Sequence, residues 1–289
     1  MHYYYICSYS VKCFLQVTVH SAFSKAAWCL SCRSSALTLH PRSIVPLSAK
    51  SQGEGFPLTR HSVVLAAQSG DSAVRSRAIA TLVSAYWKPV YKYARRKWNI
   101  SADDAADFTQ EFFTRLLEKE FLDSYDSSKG RLRAFLRACA DRLFMKQMRD
   151  SHRLKRGAGC AHFTLDFEEA EAEFAATGAA ESAEDLFNKE WKRSLFSLGL
   201  ERLRASCESG GKMIHFSLFE RYDLVDADPG PSYAQLGAEF GLATTDVTNH
   251  LAWARGEFRR CVLDQLREMT ATDDEFRREA QALLGVDAP

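Results

Sequence analysis

The chain has 289 residues, 46% of them hydrophobic, and a formal net charge of +1. At ~150 residues per domain this length predicts two domains with real cores. The near-zero charge excludes a globally polyanionic or polycationic protein, and no run reaches the ~18 apolar residues that a membrane span needs.

The eight cysteines are scattered, four of them before residue 33 and Cys139, Cys160, Cys207 and Cys261 far apart. The pattern predicts small buried thiols in a reducing cytoplasm, not a disulfide framework. Residues 1–55 stand apart, because the first acidic residue is Glu54 and the segment is rich in Ser, Tyr and Cys without a helical or strand period. A transit-type targeting segment fits the lack of acids but not the aromatic start MHYYY. A zinc site from Cys7, Cys13, Cys29 and Cys32 needs two close pairs, and only CLSC supplies one. A start codon placed too far upstream requires nothing special of the residues. The favoured expectation is therefore a disordered or mis-called extension over 1–55.

From Phe56 onward the pattern is helical. Ser or Thr precedes Asp, Glu or Gln by three residues at Ser101/Asp104, Ser182/Asp185, Ser232/Gln235 and Thr272/Glu275, the signature of a capping box. Helices are predicted over 61–68, 73–97, 102–119, 129–154, 183–207, 211–221, 232–240, 244–269 and 273–283, which makes the fold all-α.

Within the helix at 102–119, Ala105, Phe108, Phe112, Phe113, Leu116 and Leu117 fall on one half of the wheel and form a core face. Asp103, Asp104, Asp107, Gln110, Glu111, Thr114 and Glu118 form a stripe about 120° wide on the other side. A solvated face usually mixes signs so that i,i+4 pairs stabilise it. Here Asp103/Asp107 and Asp107/Glu111 are like-charge neighbours, so the stripe predicts a cationic partner: a metal, the basic helix downstream, or another protein. The metal reading would have Asp103, Asp107 and Glu111 share Mg²⁺. No Gly-rich loop, His pair or second carboxylate helix accompanies them, and the chain is expected to be no enzyme, with no catalytic residues, metal, cofactor or small-molecule substrate.

The segment 131–156 carries nine Lys/Arg against two Asp. Leu132, Phe135, Leu136, Leu143 and Phe144 give it a buried side, leaving Arg133, Arg137, Arg142, Lys146, Arg149, Arg153, Lys155 and Arg156 for solvent or phosphate. After Gly157 and Gly159 comes 166–190, with nine acids against one Lys. The charge reversal places a domain boundary there. Beyond it, SYAQLGAEFGLATTDVTNHLAWARGEFRR (232–260) has helix-turn-helix spacing. Leu236, Phe240, Leu242, Val247 and Leu251 make its small core, Gly237 allows close helix approach, and Gly241 stands at the turn. Thr245, Asp246, Thr248 and Asn249 lie near the start of the second helix, where such groups can read base edges. Arg255 is expected to hold DNA backbone or to be solvated, and Trp253 to be core.

Together these motifs resemble bacterial RNA polymerase sigma factors. DFTQEFFTRLL is similar to the region that grips the polymerase clamp, with the pattern D-L-x-Q-E-x-F matched at Asp107, Phe108, Gln110, Glu111 and Phe113, Phe108 standing for the usual Leu. AYWKPVYKYARRKWNISADDAAD resembles the preceding helix and loop, GRLRAFLRACADRLF the helix that leads to promoter melting, and SYAQLGAEFGLATTDVTNHLAWAR the C-terminal DNA-binding domain. The layout resembles the extracytoplasmic-function type. FPLTRHSVVLAA and the tail TATDDEFRREAQALLG are similar to a subgroup associated with planctomycetes and related bacteria.

The resemblance implies a region 2-like bundle over 56–157, an acidic linker over 158–182, a region 4-like helix-turn-helix domain over 183–270 and a helical tail over 271–289. It implies that Asp104, Asp107, Gln110 and Glu111 bind core polymerase in the cytoplasm. Arg142, Lys146, Arg149, Arg153, Lys155 and Arg156 would serve the minus-ten element, and Thr245, Asp246, Thr248, Asn249 and Arg255 the minus-thirty-five element. Promoter DNA, core RNA polymerase and an anti-sigma factor are the implied partner classes. The acidic connector would act as a polyanion mimic in polymerase channels, or fold back on 131–156 and hold the free factor inactive. Arg142 stands where the family usually has Asn, and Thr248 and His250 where many members have Arg or Lys. A helix-turn-helix regulator that never meets polymerase is the competing reading.

Overall fold

The computed structural model describes residues 63–68, 71–118, 122–150, 163–178, 180–225 and 230–285. The expectations for 1–55, for Gly157 and Gly159, and for Arg153, Lys155 and Arg156 lie outside the described residues. In chain order the helices are α1 (Val63–Ala67), α2 (Ser72–Trp98), α3 (Ala102–Leu117), α4 (Leu132–Asp150), α5 (Phe167–Ala175), α6 (Ala183–Ser209), α7 (Met213–Phe219), α8 (Tyr233–Phe240), α9 (Thr244–Glu268) and α10 (Asp273–Leu284). A 3₁₀ turn covers Leu122–Ser124 and a π turn covers Glu220–Leu224. Among the described residues there is no strand, so the fold is all-α as expected.

All four capping signals act as caps. The side chains of Ser101, Ser182, Ser232 and Thr272 accept from the backbone N–H groups of Asp104, Asp185, Gln235 and Glu275. Each such bond satisfies a helix-terminal donor and contributes about 1 kcal/mol. Only at Ser232 is the reciprocal half also made, its backbone N–H donating to Gln235 Oε1 at 2.7 Å. The end of α2 turns on Asn99 in the left-handed region (φ 48°), after a basic last turn of Arg95, Arg96 and Lys97 that suits the helix dipole. Arg75, buried in α2, donates from Nε to the Leu117 carbonyl at 2.9 Å and so closes the end of α3.

The first core joins α1–α4. Trp98 stacks on Phe144 at 3.9 Å between ring centroids, and Phe108 meets Trp98 edge-on at 5.0 Å. One aromatic cluster thus locks α2, α3 and α4 together, and Phe112, Phe113 and Leu116 are buried against it. The second core gathers Leu203 and Cys207 of α6, Phe216 and Phe219 of α7, Leu236 of α8, and Val247, Leu251 and Phe258 of α9. Cys139, Cys207 and Cys261 are buried free thiols, and burial pushes Cys139 up to about 11.

The two cores share elements. The first half of α6 puts Phe187, Trp191 and Leu195 into the first core, and its second half puts Phe196, Leu203 and Cys207 into the second. Gly199 lies in the second half, between Phe196 and Leu203. A Cβ there would come within 2.6 Å of Val262 Cγ2, so α6 and α9 touch almost backbone to side chain. The end of α9 and α10 also return to the first core through Leu266, Met269, Phe276 and Ala280. Glu275 of α10 is 2% exposed; it accepts from the Leu132 N–H at 3.1 Å, from Tyr125 Oη at 3.1 Å, and from the Ala271 N–H at 2.9 Å. Glu279, 3% exposed, pairs with Arg131 and Arg133 at 3.2 and 3.1 Å.

The acidic connector is not a bare linker. Within the predicted 158–182 segment it forms α5, and its docking partner is α2 rather than the basic helix of 131–156. Lys88 bonds Glu169 and Glu173 at 2.9 Å each, Arg95 bonds Glu171 at 2.5 Å, and Lys92 bonds both Glu173 and Glu190. Phe167 packs edge-on against Trp87 at 5.7 Å.

Candidate functional site

Three surfaces carry the residues singled out by sequence. The first is the acidic face of α3. Its core half is buried as predicted, which leaves Asp103, Asp104 and Asp107 exposed. Ser101 Oγ donates to Asp104 Oδ2 at 2.7 Å. Among the described residues neither Asp103 nor Asp107 has an ion-pair partner.

Gln110, Glu111 and Thr114 are satisfied internally, while Glu118 is exposed, so only part of the stripe faces outward without a cation. Arg115, four residues after Glu111, donates to Glu111 Oε1 from Nε at 2.8 Å and from Nη2 at 2.6 Å. Gln147 of α4 donates to Glu111 Oε2 at 2.6 Å. Gln110 makes a two-way bond with the Phe163 backbone, donating to its carbonyl at 2.8 Å and accepting its N–H at 3.0 Å. Gln110 thereby fixes the chain that leads into α5. Both Glu111 oxygens are thus engaged, by Arg115 and by Gln147. Among the described residues no three His, Cys, Asp or Glu side chains converge as metal ligands.

The second surface is the C-terminal half of α4. Arg142, Lys146 and Arg149 are exposed, and Arg149 Nε donates to the Met145 carbonyl at 3.2 Å. Met145 and Met148 lie among them, 62% and 54% exposed. Arg133 and Arg137, expected at solvent or phosphate, instead face inward: Arg133 lies over the Trp191 ring at 4.7 Å and Arg137 over Phe187 at 5.6 Å. The physical reason is that α6 and α10 cover the first half of α4.

The third surface is the helix-turn-helix. The Leu242 N–H donates to the Gly237 carbonyl at 2.8 Å, and Gly241 takes φ 69°. A Cβ on Gly237 would sit 2.7 Å from the Leu242 carbonyl oxygen, so the turn closes only over glycine. Leu236, Val247 and Leu251 are buried beneath it. Thr245, Asp246, Thr248 and Asn249 are all exposed at the start of α9, where Thr248 Oγ1 bonds back to the Thr244 carbonyl at 2.9 Å.

Arg255 is not an open cation on this surface. Asp223 of the π turn, whose side chain is 2% exposed, accepts from its Nε and Nη2 at 2.9 Å each. Burial opposes the charge on Arg255, but the Asp223 hydrogen bonds and charge outweigh it and raise its pKa. The bidentate fork ties α9 to the turn before α8 and is structural.

Sequence reasoning missed a histidine pair on the same domain. The His215 ring of α7 lies 4.1 Å from that of His250 and 4.8 Å from Trp253, with Lys212 over Trp253 at 4.3 Å. Burial, then the His250 and Lys212 charges, hold His215 below its ordinary pKa.

Residues 82–154 match the family model of sigma-70 region 2. They span most of α2, all of α3 and α4, and with them the first two surfaces. No curated protein and no solved structure matches the chain. Over these residues the chain is similar to region 2 of sigma-70 factors. Among the described residues no helix is long and apolar enough to cross a membrane.

Proposed function

We propose that this chain is a promoter-specificity subunit of the extracytoplasmic-function type, planctomycete-like in its front and tail segments, that works in the cytoplasm without catalytic chemistry of its own. Asp104 and Asp107 meet arginines of a basic coiled coil on core polymerase through charge-assisted hydrogen bonds. Gln110 and Glu111 stand on the same face and hold its geometry through Phe163, Arg115 and Gln147. Arg142, Lys146 and Arg149, continued by Arg153, Lys155 and Arg156 in sequence, hold the minus-ten element. Thr245, Asp246, Thr248 and Asn249 read the minus-thirty-five element. The observation that carries this reading is the coincidence of the region 2 match with an open acidic face on α3 and an open basic face on α4.

The test is co-purification with core polymerase. Asp104→Arg with Asp107→Arg is expected to abolish it while helical content by circular dichroism stays unchanged. Undiminished co-purification of that variant overturns the docking surface. A wild-type chain that binds DNA yet never co-elutes with core enzyme is instead the helix-turn-helix regulator.

A further inference from the structure

Lys88, Lys92, Arg95 and Arg96 recur at i, i+4, i+7 and i+8 and so share one face of α2. Each is engaged by the connector that begins with α5. Glu169, Glu171 and Glu173 take Lys88, Lys92 and Arg95, and Arg96 donates to the Gly178 carbonyl at 3.0 Å. Both arginines also lie over the Phe174 ring, at 5.1 and 5.3 Å.

The hold is mostly electrostatic. Of the α5 residues only Ala170 is buried. The Lys88 pairs and the Arg95–Glu171 pair keep between 19% and 35% side-chain exposure, so salt and competing charge reach them. Lys92 differs: at 0% exposure it is bound to Glu190 of α6 at 2.7 Å and stays with the core whatever α5 does.

We propose that the α2 face carrying Lys88, Arg95 and Arg96 is a binding surface for the phosphate backbone of nucleic acid, and that α5 is the internal polyanion that covers it until nucleic acid displaces it. The carboxylates of α5 occupy the positions that phosphate oxygens would take. Arginine guanidinium suits either anion, because its fork bonds both bidentately. Trp87 and Tyr91, which pack against Phe167 at 5.7 and 5.3 Å, would border the uncovered face. The proposal rests on the nucleic-acid reading above but not on the polymerase one, and its test contains no polymerase.

The experiment is binding of the full chain to a fluorescent duplex of mixed sequence at a series of salt concentrations. Glu169→Gln/Glu171→Gln/Glu173→Gln should bind about tenfold more tightly at ~50 mM salt, with a log–log salt slope steeper by about two to three. Glu118→Gln/Asp123→Asn/Glu201→Gln removes the same charge from exposed positions elsewhere and should show a much smaller gain. Adding Lys88→Gln/Arg95→Gln/Arg96→Gln to the first variant should abolish its gain. The proposal is overturned if the first variant gains no more than the control, or if the gain survives loss of the three cations. Amide exchange of the wild-type chain gives an independent reading. Saturating duplex should speed exchange in α5 and leave α6 protected, whereas an unchanged α5 overturns the proposal.

Discussion

Glu275 places a carboxylate oxygen 3.1 Å from the backbone N–H of Leu132, a residue 143 positions earlier in the chain. The first turn of α4 is thus capped by the C-terminal helix of the same chain. The same carboxylate serves Tyr125 Oη and the Ala271 N–H. Glu275→Ala leaves these donors buried and unsatisfied, and is expected to cost about 3 kcal/mol of unfolding free energy. Glu275→Gln keeps one acceptor and should cost roughly 1 kcal/mol. Urea titration checks both, and equal small losses would refute the capping role.

The α5 contact should weaken in acid. The Arg95 hydrogen bond holds Glu171 below the ordinary carboxylate value of 4.5. Burial works against Glu173, but Lys92 and Lys88 outweigh it and lower its pKa as well. A carboxylate with a depressed folded pKa contributes stability that is complete above its unfolded value and is lost as pH falls through the folded one. Exchange protection of α5 should therefore hold above about pH 5 and decline below 4.5. Glu171→Gln/Glu173→Gln should flatten that decline, and an identical pH profile in the variant would count against it.

The second core should respond at milder pH. His215 has a folded pKa below its ordinary 6.5 because of burial and the facing His250 and Lys212. The unfolded chain then binds more protons, so stability is present above pH 6.5 and is lost as pH falls below it. Thermal melts at about pH 7.5 and 5.5 should show a drop that His215→Phe reduces. Equal drops in both proteins would assign the effect elsewhere.

Two glycines should behave oppositely when replaced by alanine. Gly237→Ala forces a Cβ to within 2.7 Å of the Leu242 carbonyl oxygen, and a loss of about 1–3 kcal/mol is expected. Gly256 sits exposed within α9 with nothing near its missing Cβ. Gly256→Ala should add about 0.5–1 kcal/mol from helix propensity. Denaturant midpoints of the two single variants decide the matter.

The two classes of arginine also separate by mutation. Arg255→Ala strands buried Asp223 and should cost about 3 kcal/mol. Arg142→Ala/Lys146→Ala/Arg149→Ala should leave stability within about 0.5 kcal/mol while lowering the salt slope of DNA binding by about two to three. Loss of stability in the triple variant, with DNA binding intact, would remove α4 from the DNA interface.

Local features were legible in the sequence because their causes are local. The four caps, the apolar face of α3 and the glycines of the helix-turn-helix each depend on residues within a few positions. The Glu111–Arg115 pair is equally local, but Arg115 falls just outside the acidic stripe on the helical wheel. The remaining misses are long-range. Asp223 and Arg255 are 32 positions apart, and nothing near either announces the other. The Ala- and Glu-rich run of α5 gives a weak helix signal on its own, and its cations lie more than seventy positions upstream. The inward turn of Arg133 likewise follows from α10, which no pattern within 131–156 encodes.

The long helix α6 roots its two halves in different cores, so it fixes the heading of the helix-turn-helix against the faces of α3 and α4. One residue inserted between Leu195 and Phe196 would swing the distal half by about 100° and push it ~1.5 Å along the axis. If the promoter-specificity reading proposed above holds, elements separated to suit the native protein would then meet a misaligned reader, and α6 would act as a measuring rod for spacer length whose graduations are single amino acids.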